Sequence, residues 1–222
     1  MPMIVTIDGP AGAGKSTAAR RLAARLGFAF LDTGAMYRAV ALAARRAAVA
    51  WTDDRALAPL VEALPLEMEP GGVVRLAGED VSSLIRTPEV SQGASVVADS
   101  PAVRPRLTDM QRRLAQGRSI VCEGRDQGTV VFPDAGCKFF LVADPEERLQ
   151  RRLAEMRAKG HHPDEATIRR EMAERDARDS GRELAPLRPA EDAVRVDSTA
   201  MSADEVVAFM EAEVRRRLEG SA

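Results

Sequence analysis

The run Gly9-Pro10-Ala11-Gly12-Ala13-Gly14-Lys15-Ser16 carries the clearest chemistry in the chain, and Thr17 leads it into a helical stretch that reaches Leu26. Gly, four residues, then Gly-Lys-Ser is a phosphate-binding pattern when a strand precedes it and a helix follows. The apolar stretch Met3-Ile4-Val5-Thr6-Ile7 supplies the strand. Glycines let successive backbone N–H groups converge on a polyanion without Cβ clashes. The following helix points its positive end and unpaired N–H groups at the same phosphates. Lys15 is then placed to reach β- and γ-phosphates, and the Ser16 hydroxyl to bind or orient Mg²⁺. A glycine-rich turn matching by chance is the plain alternative, and the strand–loop–helix context argues against it. The segment Gly9 to Thr17 therefore predicts a nucleoside triphosphate site.

Three further groups bear on a second substrate. Asp32-Thr33-Gly34-Ala35-Met36-Tyr37-Arg38 follows a second apolar run, and Glu123-Gly124-Arg125-Asp126-Gln127-Gly128-Thr129 follows a third. Both are expected at the carboxyl ends of strands, on the edge that carries the phosphate loop. Arg175, Arg178, Asp179 and Arg182 share one helical face if a helix starting near Asp164 persists. From spacing alone this is an exposed face braced by Glu171–Arg175 and Arg175–Asp179 pairs, each contributing tenths of a kcal/mol. Three arginines beside one carboxylate nevertheless call for anions, which a triphosphate facing a monophosphate would supply.

The elements that must position these groups alternate. Strands are expected at Ile4–Ile7, Phe28–Leu31, Ser119–Cys122, Lys138–Val142 and Val194–Asp197. Helices are expected between them: one closed by Gly27, one over Gly34–Val49, one opened by Ser100-Pro101 and ended by Gly117, and a last one behind the capping box Ser202-Ala203-Asp204-Glu205. Such alternation implies an α/β fold with a parallel sheet covered on both faces and ligands beyond the carboxyl ends of its strands. Two segments break the pattern. Residues 64–98 read as an inserted subdomain, with a small hairpin around Glu69-Pro70-Gly71-Gly72 and a short helix from Thr87-Pro88-Glu89. Glu147 to His162 reads as an Arg-rich helix pair broken by Gly160 and Pro163, either a solvated hairpin or a mobile cover.

The 222 residues suffice for one buried core, and 45% hydrophobic with 30% charged residues is the balance of a soluble globular chain. Lys plus Arg number 32 against 34 Asp plus Glu, which argues against a dedicated nucleic-acid binder. No apolar run is long enough to span a bilayer, and the immediate entry into a strand leaves no room for a signal peptide. Cys122 and Cys137, each in an expected strand without metal-type spacing, read as buried thiols in a reducing cytoplasm. His161 and His162 are the only histidines and fall in a polar stretch, leaving a Ser-His-Asp hydrolase few candidates.

Taken together the residues resemble the bacterial type of cytidylate kinase, a nucleoside monophosphate kinase family. The likeness runs nearly end to end. It is carried by Ile7-Asp8-Gly9-Pro10 through Thr17, Leu31 to Arg38, Glu79-Asp80-Val81-Ser82, Ile85 to Val90, Gly124 to Ala135, and Glu174-Arg175-Asp176 to Arg182 with Ala185-Pro186-Leu187. Gln127 departs from the methionine expected in many relatives. The resemblance implies a P-loop core with a five-stranded parallel sheet, an inserted monophosphate-binding subdomain over 64–98 and a short lid over 148–163. It implies transfer of the γ-phosphate of ATP to CMP or dCMP, with Mg²⁺, in a cytoplasmic monomer without nucleic-acid or membrane partners.

By the same resemblance Arg38, Arg125 and Arg182 contact the acceptor phosphate or the transferring group. Asp126, Arg104 and Ser95 surround the cytosine, and Thr33, Arg175 and Asp179 the sugar. Lid arginines such as Arg148, Arg152 and Arg157 are further phosphate candidates. The readings left open are a P-loop kinase for another small acceptor, such as shikimate, and a non-catalytic nucleotide switch. The arginine sites and the insertion argue against both.

Overall fold

A computed structural model of the chain describes residues 2–69, 72–158 and 160–220. Five β-branched or aromatic runs form one sheet: β1 (Ile4–Asp8), β2 (Ala29–Asp32), β6 (Ile120–Gly124), β7 (Cys137–Val142) and β8 (Val194–Asp197). Its order is β2-β6-β1-β7-β8, and every pairing is parallel. Parallel strands need crossovers, and helices supply them. On one face α1 (Lys15–Leu26) and α8 (Ala203–Glu219) bury Leu22, Val207 and Met210 against Ile7, Phe139 and Leu141. Fully burying each such side chain stabilises the fold by about 1.5–3 kcal/mol. On the other, α2 (Thr33–Arg46), α3 (Asp54–Glu62), α4 (Pro88–Val97) and α5 (Val103–Ala115) enclose Met36, Val40, Leu57 and Leu107.

Between α3 and α4 lies a separate antiparallel sheet of β3 (Leu66–Met68), β4 (Val74–Leu76) and β5 (Glu79–Asp80), followed by a 3-10 turn at Leu84–Arg86. Pro70 and Gly71, the tip of the expected hairpin, lie outside the described residues, as does Lys159. The helices α6 (Pro145–Ala158) and α7 (Glu165–Gly181) share a small core of their own, Leu149, Leu153 and Ile168. That core is distinct from the two that flank the sheet. Among the described residues no helix is long and apolar enough to cross a membrane.

Local chemistry moves several boundaries. α1 begins at Lys15 rather than Thr17, because Gly14 at φ 89° turns the loop straight into the helix. α2 ends at Arg46, short of Val49, because Ala48 adopts φ 54°. The Ser100 hydroxyl donates to Asp54 and accepts from the Ala102 N–H at 3.2 Å, ahead of a helix that starts at Val103 without a side-chain cap of its own. The capping box of Ser202 and Glu205 forms as expected. Cys122 and Cys137 are buried free thiols, with burial pushing both pKa values up. The start of the phosphate loop admits only glycine: a Cβ on Gly9 would lie 2.0 Å from the Leu141 carbonyl oxygen.

Candidate active site

The phosphate loop runs from β1 into α1 at the carboxyl edge of the sheet. Lys15 is buried, and its Nζ donates to the Pro10 carbonyl at 2.6 Å. Burial, then repulsion from Arg125 and Arg175, holds its pKa well below the usual lysine value. Ser16 and Thr17 are exposed at the first turn of α1, where incoming phosphate oxygens have access to them.

Strand ends bring the other groups to the same edge. Asp32 ends β2 and caps α2 by accepting from the Ala35 N–H at 2.9 Å. Its other oxygen accepts from Arg38 Nη2 at 2.9 Å, with Arg86 at 3.8 Å. Thr33 donates to the Glu123 carbonyl at 2.7 Å, tying β2 to the end of β6. Arg125, just beyond β6, donates through Nε to Asp179 on α7 at 2.7 Å, and Arg182 Nη2 reaches the other oxygen of Asp179 at 2.5 Å.

This arrangement overturns the braced exposed face read from spacing. Asp179 is buried, and it is gripped by Arg125 and Arg182 rather than Arg175. Burial raises its pKa, but Arg125 and Arg175 outweigh that and hold the carboxyl below the usual range. Arg175 Nε has no hydrogen-bond partner among the described residues, and burial followed by repulsion from Arg125 brings its pKa down to about 10. Lys15, Arg125, Arg175 and Arg182 therefore converge on Asp179, with Glu123 beside Lys15 and Arg125 and with Asp99 beside Arg182, four cations against three carboxylates. A charge excess of this kind is costly in a poorly hydrated site unless anions enter.

The base-side groups form a second cluster. Arg104 on α5 and Asp126 beyond β6 are both buried and form a short ion pair. Arg104 also donates to the Ala98 carbonyl at 2.8 Å and lies 5.7 Å from the centroid of the Tyr37 ring. Ser95, buried on α4, accepts from Arg178 Nη1 at 3.3 Å, and Arg182 Nε lies 3.1 Å from Asp99. All the residues named from the sequence for the acceptor thus gather along α2, α4, α5, the end of β6 and α7. Arg178 is an addition that sequence reasoning placed on the right face without a role.

Two buried acids were missed. Asp8, the last residue of β1, accepts from the N–H groups of Gln127 at 2.9 Å and Gly128 at 2.8 Å. Burial pushes its carboxyl up to about 6, against the pull of those two N–H groups. Glu123 is buried beside Lys15 and Ser16, and its Oε1 has no hydrogen-bond partner. Burial and then Asp32 raise its pKa, while Lys15 and the Ser16 hydroxyl oppose them. A strand-terminal acid directly before Gly9, and another directly before Gly124, were the available signals.

The lid arginines divide. Arg148 is not free to reach phosphates here: it is buried and bonded to the Ala11 carbonyl and to Asp176. Arg152 pairs with Glu155 at 3.1 Å, and Arg157 is exposed. No cluster of three His, Cys, Asp or Glu side chains that could hold a metal occurs among the described residues. Beside Ser16 the Glu123 Oε1 atom remains without a hydrogen bond among those residues.

Comparison with known proteins places the chain in a family. The sequence profile described as cytidylate kinase matches residues 5–216. A cytidylate kinase of Solibacter usitatus is 52% identical, over 92% of this chain and 88% of its own length. One of Geobacter sp. strain M21 is 48% identical, over 97% and 94%. Among solved structures, a gluconokinase from Sinorhizobium meliloti superposes with a TM-score of 0.53 at 18% identity, covering 99% of this chain and 95% of its own. A shikimate kinase from Bacteroides thetaiotaomicron gives 0.50 at 13% identity, covering 98% of each. Those two likenesses concern the fold alone.

Proposed function

The chain belongs to the cytidylate kinase family, and on that premise we propose that it transfers the γ-phosphate of ATP to CMP or dCMP, giving ADP and CDP or dCDP. The observation that carries the reading is the cationic cluster of Lys15, Arg125, Arg175 and Arg182 about Asp179, flanked by Glu123 and Asp99, in which Arg175 Nε is left without a hydrogen bond among the described residues. Two phosphate groups meeting at that point would neutralise it.

A CMP phosphate oxygen attacks the γ-phosphorus, the bond to the bridging oxygen breaks, and ADP departs with that electron pair. The acceptor phosphate has a second pKa of about 6 and is largely dianionic at neutral pH, so no side chain need take a proton. The protein's contribution is positioning and charge neutralisation. Lys15 and the amides of Gly9 to Thr17 hold the donor, which requires Lys15 to leave the Pro10 carbonyl. Arg38, Arg125 and Arg182 hold the acceptor phosphate, each already oriented by Asp32 or Asp179. The residues fit a magnesium ion: Ser16, with Glu123 behind it, would hold one against the donor phosphates, where it supplies further neutralisation of their charge.

Cytosine offers an amino donor where uracil has a carbonyl, and a carboxylate accepts from the first and repels the second. Asp126 serves as that acceptor. Arg104 and Ser95 are placed for the ring nitrogen and carbonyl, and Thr33, Arg175 and Asp179 for the sugar. Residues 64–98 close over the monophosphate, and the short lid over 148–163 closes over the donor. The chain acts as a cytoplasmic monomer.

The test is ADP production from ATP and Mg²⁺ with CMP, dCMP, UMP, AMP and GMP supplied separately. Turnover concentrated on CMP and dCMP is expected. Equal turnover with all five would remove the cytosine pocket and leave a P-loop kinase of broader acceptor range.

A further inference from the structure

Backbone carbonyls that face a phosphate would repel it, so a loop that presents its N–H groups inward must hold its carbonyls outward. Two carbonyls of the phosphate loop, those of Ala11 and Ala13, are held in this way by side chains from outside it. Arg148 Nη1 on α6 donates to Ala11 at 3.0 Å and, with its other hydrogen, to Asp176 Oδ2 on α7 at 2.6 Å, while Nε donates to the Ala143 carbonyl at 3.2 Å. One turn further along α6, Arg151 donates to the Ser198 carbonyl at 2.6 Å and hydroxyl at 3.0 Å. That hydroxyl shares its own proton between Val142 at 3.1 Å and Ala13 at 3.4 Å.

Arg148 is the most constrained of these. Its side chain is 8% exposed and that of Asp176 24%, so the pair is shielded in a way surface ion pairs are not. The loop packs directly on it: a Cβ on Gly12 would lie 3.1 Å from the Arg148 carbonyl oxygen and 3.2 Å from the Met172 methyl on α7. Asp176 Oδ1 stays buried without a hydrogen bond. Only one oxygen of this carboxylate is satisfied, and it is satisfied by the guanidinium that grips the loop.

We propose that Arg148 and Asp176 are positioning residues for the phosphoryl donor, acting as one unit that turns the Ala11 carbonyl away and keeps the loop amides converged on the donor phosphates. The inference rests on the reading of Gly9–Thr17 as the ATP site. It differs from a lid arginine that contacts phosphate directly. A direct contact depends on Arg148 alone, whereas the positioning unit depends equally on Asp176, which carries negative charge and cannot itself attract a phosphate.

The test compares Arg148→Met, Arg148→Lys, Asp176→Asn and the Arg148→Met/Asp176→Asn double variant with wild type. KM for ATP, KM for CMP and kcat are measured with thermal unfolding, alongside equilibrium binding of ATP. Loss of a charged hydrogen bond that shapes the loop should raise KM for ATP about tenfold in Arg148→Met and in Asp176→Asn. The double variant should be no worse than either single one, Arg148→Lys should recover part of the loss, and KM for CMP should stay near wild type. An Asp176→Asn enzyme with unchanged KM for ATP overturns the proposal, and so does a parallel rise in both KM values. If Arg148→Met does not fold, the isosteric Asp176→Asn decides alone. Wild-type protein that fails to bind ATP overturns the phosphate-loop reading and the positioning unit with it. Wild-type binding that Asp176→Asn leaves unaltered overturns the positioning unit only.

Discussion

The phosphate side and the base side of this cleft hold arginines in opposite ways. Around Asp179, positive charge exceeds negative, and Arg175 is left repelled and short of a partner. A few residues away, Arg104 and Asp126 satisfy one another, with the Ala98 carbonyl and the Tyr37 ring completing the arginine's surroundings. The difference follows from what each region must receive. A phosphate brings its own charge, so leaving cations unpaired favours its entry. A neutral base brings none, so a buried carboxylate offered to it must already be neutralised.

The comparison can be broken in four places. Lys15→Ala should reduce turnover by about a thousandfold or more while CMP binding persists, since Lys15 serves only the donor. Steady-state kinetics with CMP titration calorimetry would check this, and joint loss of both would mean a folding defect. Asp126→Asn should lower the CMP-over-UMP ratio of kcat/KM by about 10–100-fold, because the asparagine amide can turn either its oxygen or its nitrogen to the base. An unchanged ratio would take Asp126 out of base selection.

Asp8 joins the two regions, carrying the phosphate loop on one side and bonding the backbone beyond Asp126 on the other. Burial pushes its carboxyl up to about 6 from an ordinary value of 3.8, so the native state binds more protons between those pH values. Its contribution to stability is present in full below about pH 4 and falls as pH rises through about 6, by about 3 kcal/mol. Denaturant unfolding across that window should show a slope in wild type that Asp8→Asn removes; parallel slopes would refute it. The smallest effect has the opposite sign to most substitutions. Arg175→Met should leave the apo protein unchanged or more stable by about 0.5–1 kcal/mol while impairing catalysis, because it relieves repulsion. Clear destabilisation of the apo protein would show that the phosphate side is balanced after all.

Much of the fold was legible because the strands are short β-branched or aromatic runs with glycine, serine or aspartate at their ends. Val194–Asp197 stands as the pattern predicts, and the first strand runs one residue past the expected Ile4–Ile7, to Asp8. The misplaced boundaries share one cause, backbone or side-chain choices settled by distant partners. Ser100 has the composition of a cap but bonds Asp54, 46 positions away. Ala48 ends a helix in a conformation that no glycine announces. The residue types of the site were readable, but their pairing was not: Arg125 and Asp179 lie 54 positions apart, and local spacing favoured Arg175 as the partner. Arg148 was expected as one of several lid arginines facing phosphate, because nothing in its surroundings along the chain reveals the Ala11 carbonyl 137 positions earlier.

The central place of β1 in the sheet has a consequence in time. It is made first, yet its neighbours are β6 and β7, and the register pairs Ile4 with Ile120 and Val5 with Cys137. At about 5–20 residues per second, a growing chain leaves this strand without either neighbour for about 6–23 s. The strand that will form the middle of the sheet spends that interval as an apolar segment with both edges bare. Nascent-chain protection during synthesis therefore matters more for Ile4–Asp8 than for β8, whose partner β7 has already emerged when it arrives.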